Sequence, residues 1–259
     1  MPAPEFALII PACDEAACIG AVLDEFLRSV DPEKYVIAVG VNGSSDATAE
    51  IARQHPVLVA ETEQRGYGHG CQAAIDLTKN LFPSIRAYVF CAGDGATDPG
   101  NVPALTAALE QGYELVLGTR TTKVRNWRSM TLRHVFANAT LGLWAGLLSG
   151  RYFSDLGPTR LISRPLFEKI APQEMTFGWT IETQIAAAKL DAAICEVPVL
   201  ERRRIGGQQK VSGVSWQRTF LIGCRIVAAG FRTWKTFQSA PARPRPLLAR
   251  STHNPQREA

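Results

Sequence analysis

Three successive apolar runs in this chain end in small or polar turns that open helical patterns, and that alternation dictates a parallel sheet wound with helices. Phe6-Ala-Leu-Ile-Ile10 is stopped by Pro11, and Asp14 and Glu15 precede a helical pattern through Ile19, Val22, Leu23, Phe26 and Leu27. Tyr35-Val-Ile-Ala-Val-Gly-Val41 runs into Asn42-Gly43-Ser44-Ser45-Asp46, with a helix following from Thr48. Val57-Leu-Val-Ala60 is a third short strand, and Arg65-Gly66-Tyr67-Gly68-His69-Gly70 is a glycine-rich turn into a helix through Ile75. A fourth run, Tyr88-Val-Phe-Cys91, breaks into Ala92-Gly93-Asp94-Gly95 and delivers one carboxylate to a turn at its carboxyl end. Glu114 to Arg120 forms a fifth strand ending in a cation, and Ile194 to Val199 a last one. Pro198 cannot donate to a ladder and assigns that last strand to an edge.

Ligands of open α/β sheets bind beyond the carboxyl ends of the strands, so the polar groups there are the candidates for chemistry. Asp94 suits a hard cation carrying phosphate oxygens, or merely an Asx-turn or helix cap. Asp14 and Glu15 equally suit the positive end of a helix dipole. The Gly66/Gly68/Gly70 turn fits a phosphate at a helix start, although it is neither GxGxxG nor a P-loop. Lys123, Arg125, Arg128, Arg133 and His134 form a basic run before an apolar helix from Val135 to Leu148, read as a solvated face or as the site of an anionic ligand. Glu201-Arg-Arg-Arg204-Ile-Gly-Gly-Gln-Gln-Lys210-Val-Ser-Gly213 is a cationic loop with glycine hinges, able to fold over a phosphate. From Ser215 to Phe237 a helical pattern interleaves Trp216, Phe220, Leu221, Ile226, Phe231 and Trp234 with Arg218, Arg225, Arg232 and Lys235. Such a basic amphipathic helix lies on a membrane surface or packs back on its own domain.

With 259 residues, 46% of them apolar, the chain can bury one full core and leave a tail. The expected division is an α/β domain over residues 1–213, the amphipathic helix over 214–237, and a disordered Pro/Arg-rich tail over 238–259. The net charge of +4 is too mild to argue for nucleic acid and suits a phosphate ligand or an anionic membrane. Six cysteines without CxxC spacing read as thiols of a reducing compartment, and no apolar run reaches membrane-span length. A cytoplasmic protein is the expected setting, with peripheral contact to the inner face of the plasma membrane as the option that its basic helix leaves open.

In this order the motifs resemble those of the family 2 glycosyltransferases of GT-A fold, a Rossmann-like, mostly parallel sheet flanked by helices. The similarity is greatest to the branch related to dolichyl-phosphate mannosyltransferase and bacterial polyprenyl-phosphate glycosyltransferases. Ile9-Ile10-Pro11-Ala12-Cys13-Asp14-Glu15 is similar to the opening IPAYNE, and Val41-Asn42-Gly43-Ser44-Ser45-Asp46-Ala47-Thr48 to the DDGSTDGT loop. Ala92-Gly93-Asp94 stands where the DxD belongs, and Leu117-Gly-Thr-Arg120 resembles GSR. Asp155-Leu-Gly-Pro-Thr-Arg160, Gly178-Trp-Thr-Ile-Glu182 and the Arg202–Gly213 loop complete the series. The resemblance implies an inverting transfer from a nucleotide sugar. Pro11, Ala12, Asp14, Glu15, Asn42, Ser44, Arg65 and Gly93 would line the nucleotide pocket, and Asp94 would bind a divalent cation, Mg²⁺ or Mn²⁺, with the donor diphosphate. Arg120, with Arg133 or His134, would take the acceptor phosphate; Trp179 would contact diphosphate or acceptor. Arg204 and Lys210 would close over the diphosphate, and Asp155 and Glu182 would orient the sugar or acceptor. Catalysis would fall to Asp94, Asp155, Glu182 and Lys210.

The departures bear on mechanism. Ala92 replaces the first carboxylate of the DxD, Ala96 stands where related transferases place a metal-binding Gln, and Val41 replaces the first Asp of the base-binding loop. A buried donor that loses its acceptor costs about 1–3 kcal/mol, which Asn42 could offset through its amide oxygen. The expected acceptor is a polyprenyl phosphate. The alternatives are a soluble hydroxyl acceptor, with Asp155 as its base, or a non-catalytic nucleotide- or partner-binding domain.

Overall fold

The structure is a computed structural model and describes residues 3–120, 132–206 and 216–238. Seven strands form one sheet: β1 (Phe6–Ala12), β2 (Tyr35–Asn42), β3 (Leu58–Thr62), β4 (Ala87–Phe90), β5 (Leu115–Thr119), β6 (Arg160–Ser163) and β7 (Ile194–Pro198). Among the described residues eight α-helices accompany them: α1 (Ile19–Ser29), α2 (Thr48–Arg53), α3 (Tyr67–Leu81), α4 (Val102–Glu110), α5 (Leu132–Ser149), α6 (Arg164–Ile170), α7 (Trp179–Lys189) and α8 (Trp216–Thr236). The sheet order is β3-β2-β1-β4-β6-β5-β7, with β7 at the edge that Pro198 demands.

All pairings are parallel except those of β6, which runs antiparallel to both β4 and β5. The expected mostly parallel α/β sheet is therefore present, with one reversed strand that the sequence does not announce. Arg160-Leu-Ile-Ser163 is only four residues long and opens on a fully buried arginine, so it lacks the long apolar run of its neighbours. The start of α6 had a readable signal, since Ser163 accepts from the Leu166 amide ahead of Pro165 in the first turn.

Strand alternation sends side chains into two cores. Leu8, Ile10, Val89, Val22, Leu23, Phe26, Val102 and Leu105 fill one face under α1 and α4. Ile9, Ile75, Tyr88, Phe90, Phe167, Trp179 and Ile185 fill the other, under α3, α6 and α7. Trp179 is wholly buried there, its rings 4.8 Å from Phe90 and 5.6 Å from Tyr67. The expectation that it contacts diphosphate or acceptor is corrected by this burial: the indole is a core anchor and presents no surface to a ligand.

The glycine-rich turn has a packing cause as well. A Cβ on Gly40 of β2 would lie 1.9 Å from the Gly70 carbonyl oxygen, and one on Gly68 would lie 2.6 Å from the Trp179 ring. The first turn of α3 thus rides directly on β2 and α7. Gly40→Ala is expected to lower stability by about 3 kcal/mol through backbone displacement, read as a shift of the urea midpoint at constant m-value.

Candidate active site at the strand ends

Strand order reverses between β1 and β4, where the chain leaves β1 for β2 on one side and later returns to β4 on the other. The crevice at such a switch point receives ligands in open α/β sheets. Here the turns after β1, β2 and β4 meet. Asp14, in a left-handed conformation with φ +50°, accepts from the amide and hydroxyl of Ser45 at 2.7 and 3.1 Å. Its other oxygen accepts from Arg65 at 3.0 Å, while its own amide donates to the Ser44 hydroxyl at 2.9 Å. Arg65 also donates to the Gly43 carbonyl. Asp14, Ser44 and Arg65 are thereby locked together as one rim. Asn42 is buried beside them at the end of β2, and Pro11, Ala12 and Gly93 form the floor where the first and fourth turns touch. Helix α1 starts only at Ile19 and has no side-chain cap, so neither Asp14 nor Glu15 serves the capping role.

Glu15 turns instead toward the Asp94 turn. One Glu15 oxygen takes a hydrogen bond from an Arg204 Nη and another from the Cys18 thiol at 3.1 Å. The other Arg204 Nη lies 3.4 Å from Asp94 Oδ2, and Asp94 Oδ1 accepts the Ala96 amide at 3.0 Å. A guanidinium only 13% exposed therefore sits between two carboxylates from different turns. Burial, then the adjacent Glu15 carboxylate, pushes the Cys18 thiol up to about 12, so it stays a neutral donor.

The segment that brings Arg204 here is pinned residue by residue. The Ile205 amide donates to the Asp94 carbonyl and the Arg202 amide to that of Ala96. Arg202 forms a bidentate pair with Glu25 of α1 at 2.7 and 2.8 Å. Gly95 has φ +80°, and a Cβ there would fall 2.3 Å from the Ile205 side chain.

The same segment reaches a second cation. Arg120, just past β5, forks onto Asp155 with both contacts at 2.7 Å, and its amide adds a third bond at 3.0 Å. Its remaining Nη lies 3.0 Å from Glu201. Burial would lower the Arg120 pKa, but Asp155 and then Glu201 more than offset it, so the guanidinium is held above its ordinary value. Burial raises the Glu201 carboxyl, with Arg120 opposing. Glu201 and Arg204 together string the two guanidinium sites along one groove across the strand ends.

Arg160 braces that groove from beneath and is a feature sequence reading missed. It is fully buried and donates to the Gly157 and Thr180 carbonyls and to Thr183, fixing the Asp155 loop to α7. Burial pulls it down to about 10, still charged at neutral pH.

Glu182 is buried at the start of α7. Both its oxygens accept from the Gln173 amide, at 3.0 and 3.2 Å, and one from the Glu174 amide at 2.8 Å. The carboxylate clamps the loop before α7, a backbone role that stands beside the expectation that it orients the sugar. Burial raises its carboxyl above the ordinary range, and the two amides offset this only in part. A folded pKa above the unfolded one favours the fold below about pH 4.5 and loses that contribution as pH rises through the raised value. Urea titrations from pH 4 to 7 are expected to show Glu182→Gln lacking that component of the wild-type decline.

Arg133 and His134 fall in the first turn of α5, with side chains outside the described residues; Lys210 and the tail from 239 onward lie outside them altogether. Among the described residues no three His, Cys, Asp or Glu side chains gather as a metal site.

Two guanidinium groups at the switch-point edge of a mostly parallel sheet, with a carboxylate turn between strands, suit a phosphate-rich donor, and residues 7–171 match the family described as Glycosyl transferase family 2. The chain belongs to that family. It is a glycosyltransferase of GT-A fold. A dolichyl-phosphate hexose transferase of Haloferax volcanii is 30% identical over 203 residues, 78% of this chain and 85% of that one. An uncharacterized glycosyltransferase of Mycobacterium tuberculosis is 26% identical over 220 residues, 80% of this chain and 89% of that one. Among solved structures, glucosyl-3-phosphoglycerate synthase from Mycobacterium tuberculosis, in complex with Mn²⁺, uridine diphosphate and glucosyl-3-phosphoglycerate, superposes with a TM-score of 0.67 at 22% identity, covering 90% of this chain and 80% of that one.

Proposed function

We propose that this glycosyltransferase moves a sugar from a nucleoside diphosphate to an acceptor bearing an ionised phosphate, foremost a polyprenyl phosphate, with inversion at the anomeric carbon. The observation that carries the reading is the state of Asp155. A hydroxyl acceptor needs a general base, and Asp155 is the positional candidate, yet both its oxygens are engaged by Arg120. An acceptor phosphate is already ionised and needs no base. Arg120, shared between Asp155 and Glu201, would contact that phosphate, with Arg133 or His134 supplying the net positive charge. The dolichyl-phosphate hexose transferase relative supports the same acceptor class.

The nucleotide is received by the rim of Asp14, Ser44 and Arg65 with Asn42, Pro11, Ala12 and Gly93. Arg204, already held at the Asp94 turn, would meet the diphosphate as charge develops on the leaving group, and Lys210 would join it; preorganised cations of this kind act in the transition state. Asp94 is the only carboxylate in the turn from Ala92 to Ala96. One carboxylate with two phosphate oxygens and waters is a sufficient set for Mg²⁺, so the residues fit a divalent cation of the kind seen with uridine diphosphate in the structural relative. Bound there, the cation would neutralise the diphosphate. No helix among the described residues is long and apolar enough to cross a membrane, and we place the enzyme peripherally, at the cytoplasmic face of a membrane carrying its acceptor.

The structural relative supports a second reading, a small phosphorylated acceptor such as phosphoglyceric acid. Product analysis with UDP- or GDP-sugars against a short-chain polyprenyl phosphate and against 3-phosphoglycerate separates the two. A glycosylated polyprenyl phosphate is the expected product. Transfer only to the small acceptor, or only to unphosphorylated alcohols, would overturn the reading.

A further inference from the structure

We infer that the joint outer face of α5 and α8 is a lipid-docking surface that seats the enzyme on an anionic bilayer. This deepens the polyprenyl reading and rests on it for purpose, though not for its observations.

The inner side of α8 is packed: Ile222, Ala229 and Thr233 are buried, and a Cβ on Gly230 would lie 3.3 Å from both Ile185 and Trp144. Its outer side is not. Leu221, Cys224, Ala228 and Phe231 recur at helical spacing along one stripe, and all four are exposed. On α5 a second stripe runs through Ala139, Leu143 and Leu147, with Leu147 73% exposed and Leu143 54%. The two helices touch through Trp144 and Phe231, whose rings are 4.7 Å apart. Two apolar stripes therefore form one face, and Tyr152, 64% exposed, follows directly after α5. Contiguous apolar exposure on this scale marks an interaction surface rather than ordinary scatter.

Charge chooses the occupant. Of the 28 Lys and Arg residues, 16 fall within residues 121–149 and 202–257, and none of the 24 Asp and Glu does. The rest of the chain holds the other 12 cations against all 24 acids. In sequence, therefore, the acid-free cationic segments are those that contain or adjoin α5 and α8. Arg225 and Lys235 are exposed on α8 itself. A second copy of this chain would bring cation against cation across such a face. An anionic headgroup layer is complementary to it, with Leu and Phe entering the acyl boundary.

The test is flotation of the full chain with vesicles of phosphatidylglycerol and phosphatidylcholine, and with phosphatidylcholine alone. Wild type is expected to float with the anionic vesicles, and to partition about tenfold less with neutral ones or at high salt. Leu147→Glu and Leu221→Glu, each at an exposed site, are expected to weaken partition by about tenfold or more while leaving nucleotide affinity unchanged. Absence of flotation with anionic vesicles, flotation indifferent to both variants, or a wild-type dimer that Leu147→Glu dissociates would overturn the inference. Transfer to a water-soluble short-chain polyprenyl phosphate tests the acceptor reading separately, since it needs no bilayer.

Discussion

Arg204→Ala is expected to lower kcat/KM by on the order of 100-fold, the scale found when one preorganised partner of a developing negative charge is removed. The guanidinium is nearly buried, aimed by Glu15 and within 3.4 Å of the Asp94 carboxylate. In the free protein it bridges two acids; with a donor bound it would meet the diphosphate. Deleting it removes the attraction and leaves Glu15 and Asp94 as uncompensated negative charge facing an anion. Arg204→Lys keeps the charge but loses the fork that can span both partners, so it should recover only part of the activity. Steady-state kinetics with saturating acceptor distinguish this from a folding defect when paired with the melting temperature of each variant. Full activity in Arg204→Ala would mean that the groove between β1 and β4 does not receive the diphosphate.

Arg120→Ala carries the second large effect, and it falls on stability as well as activity. Asp155 is buried with both oxygens on Arg120. Breaking a buried ion pair by removing one partner costs about 3–5 kcal/mol, which in a domain of this size corresponds to a fall in Tm on the order of 10 °C. Asp155→Asn in the Arg120→Ala background removes the orphaned charge and should restore part of that loss. Activity should not return in the double variant, because the cation proposed for the acceptor phosphate is gone. A Tm unchanged by Arg120→Ala would refute the buried pairing.

Much of this fold is legible in the sequence because each parallel strand is a run such as Leu8-Ile-Ile10 or Val36-Ile-Ala-Val39, closed by a turn that breaks the period. The edge position of β7 follows from one residue, Pro198. What escapes is what depends on tertiary contact. Strand β6 is short and begins with Arg160, a residue that composition assigns to the surface, and its partners on α7 follow it by 20 residues or more. The pairing of Arg202 with Glu25 spans 177 residues and has no local signal; in sequence Arg202 is one of three adjacent arginines with interchangeable prospects. Structure divides their work, giving Arg202 to α1 and Arg204 to the carboxylate turns. Trp179 shows the opposite error. It stands in a motif of the family, yet it is a core side chain. A motif places a residue near a site without saying which way it faces. The α8 pattern contained both of its readings at once, since one side packs on α5 and α7 while the other remains apolar and exposed.

The most direct test of the account is calorimetric titration of UDP and GDP, with Mg²⁺ or Mn²⁺ and with EDTA, into wild type and Arg204→Ala. The account predicts that one nucleoside diphosphate binds wild type and that its affinity falls at least tenfold in the variant, with and without the metal. Equal affinity in the two proteins, or binding of neither nucleotide by wild type, would contradict it.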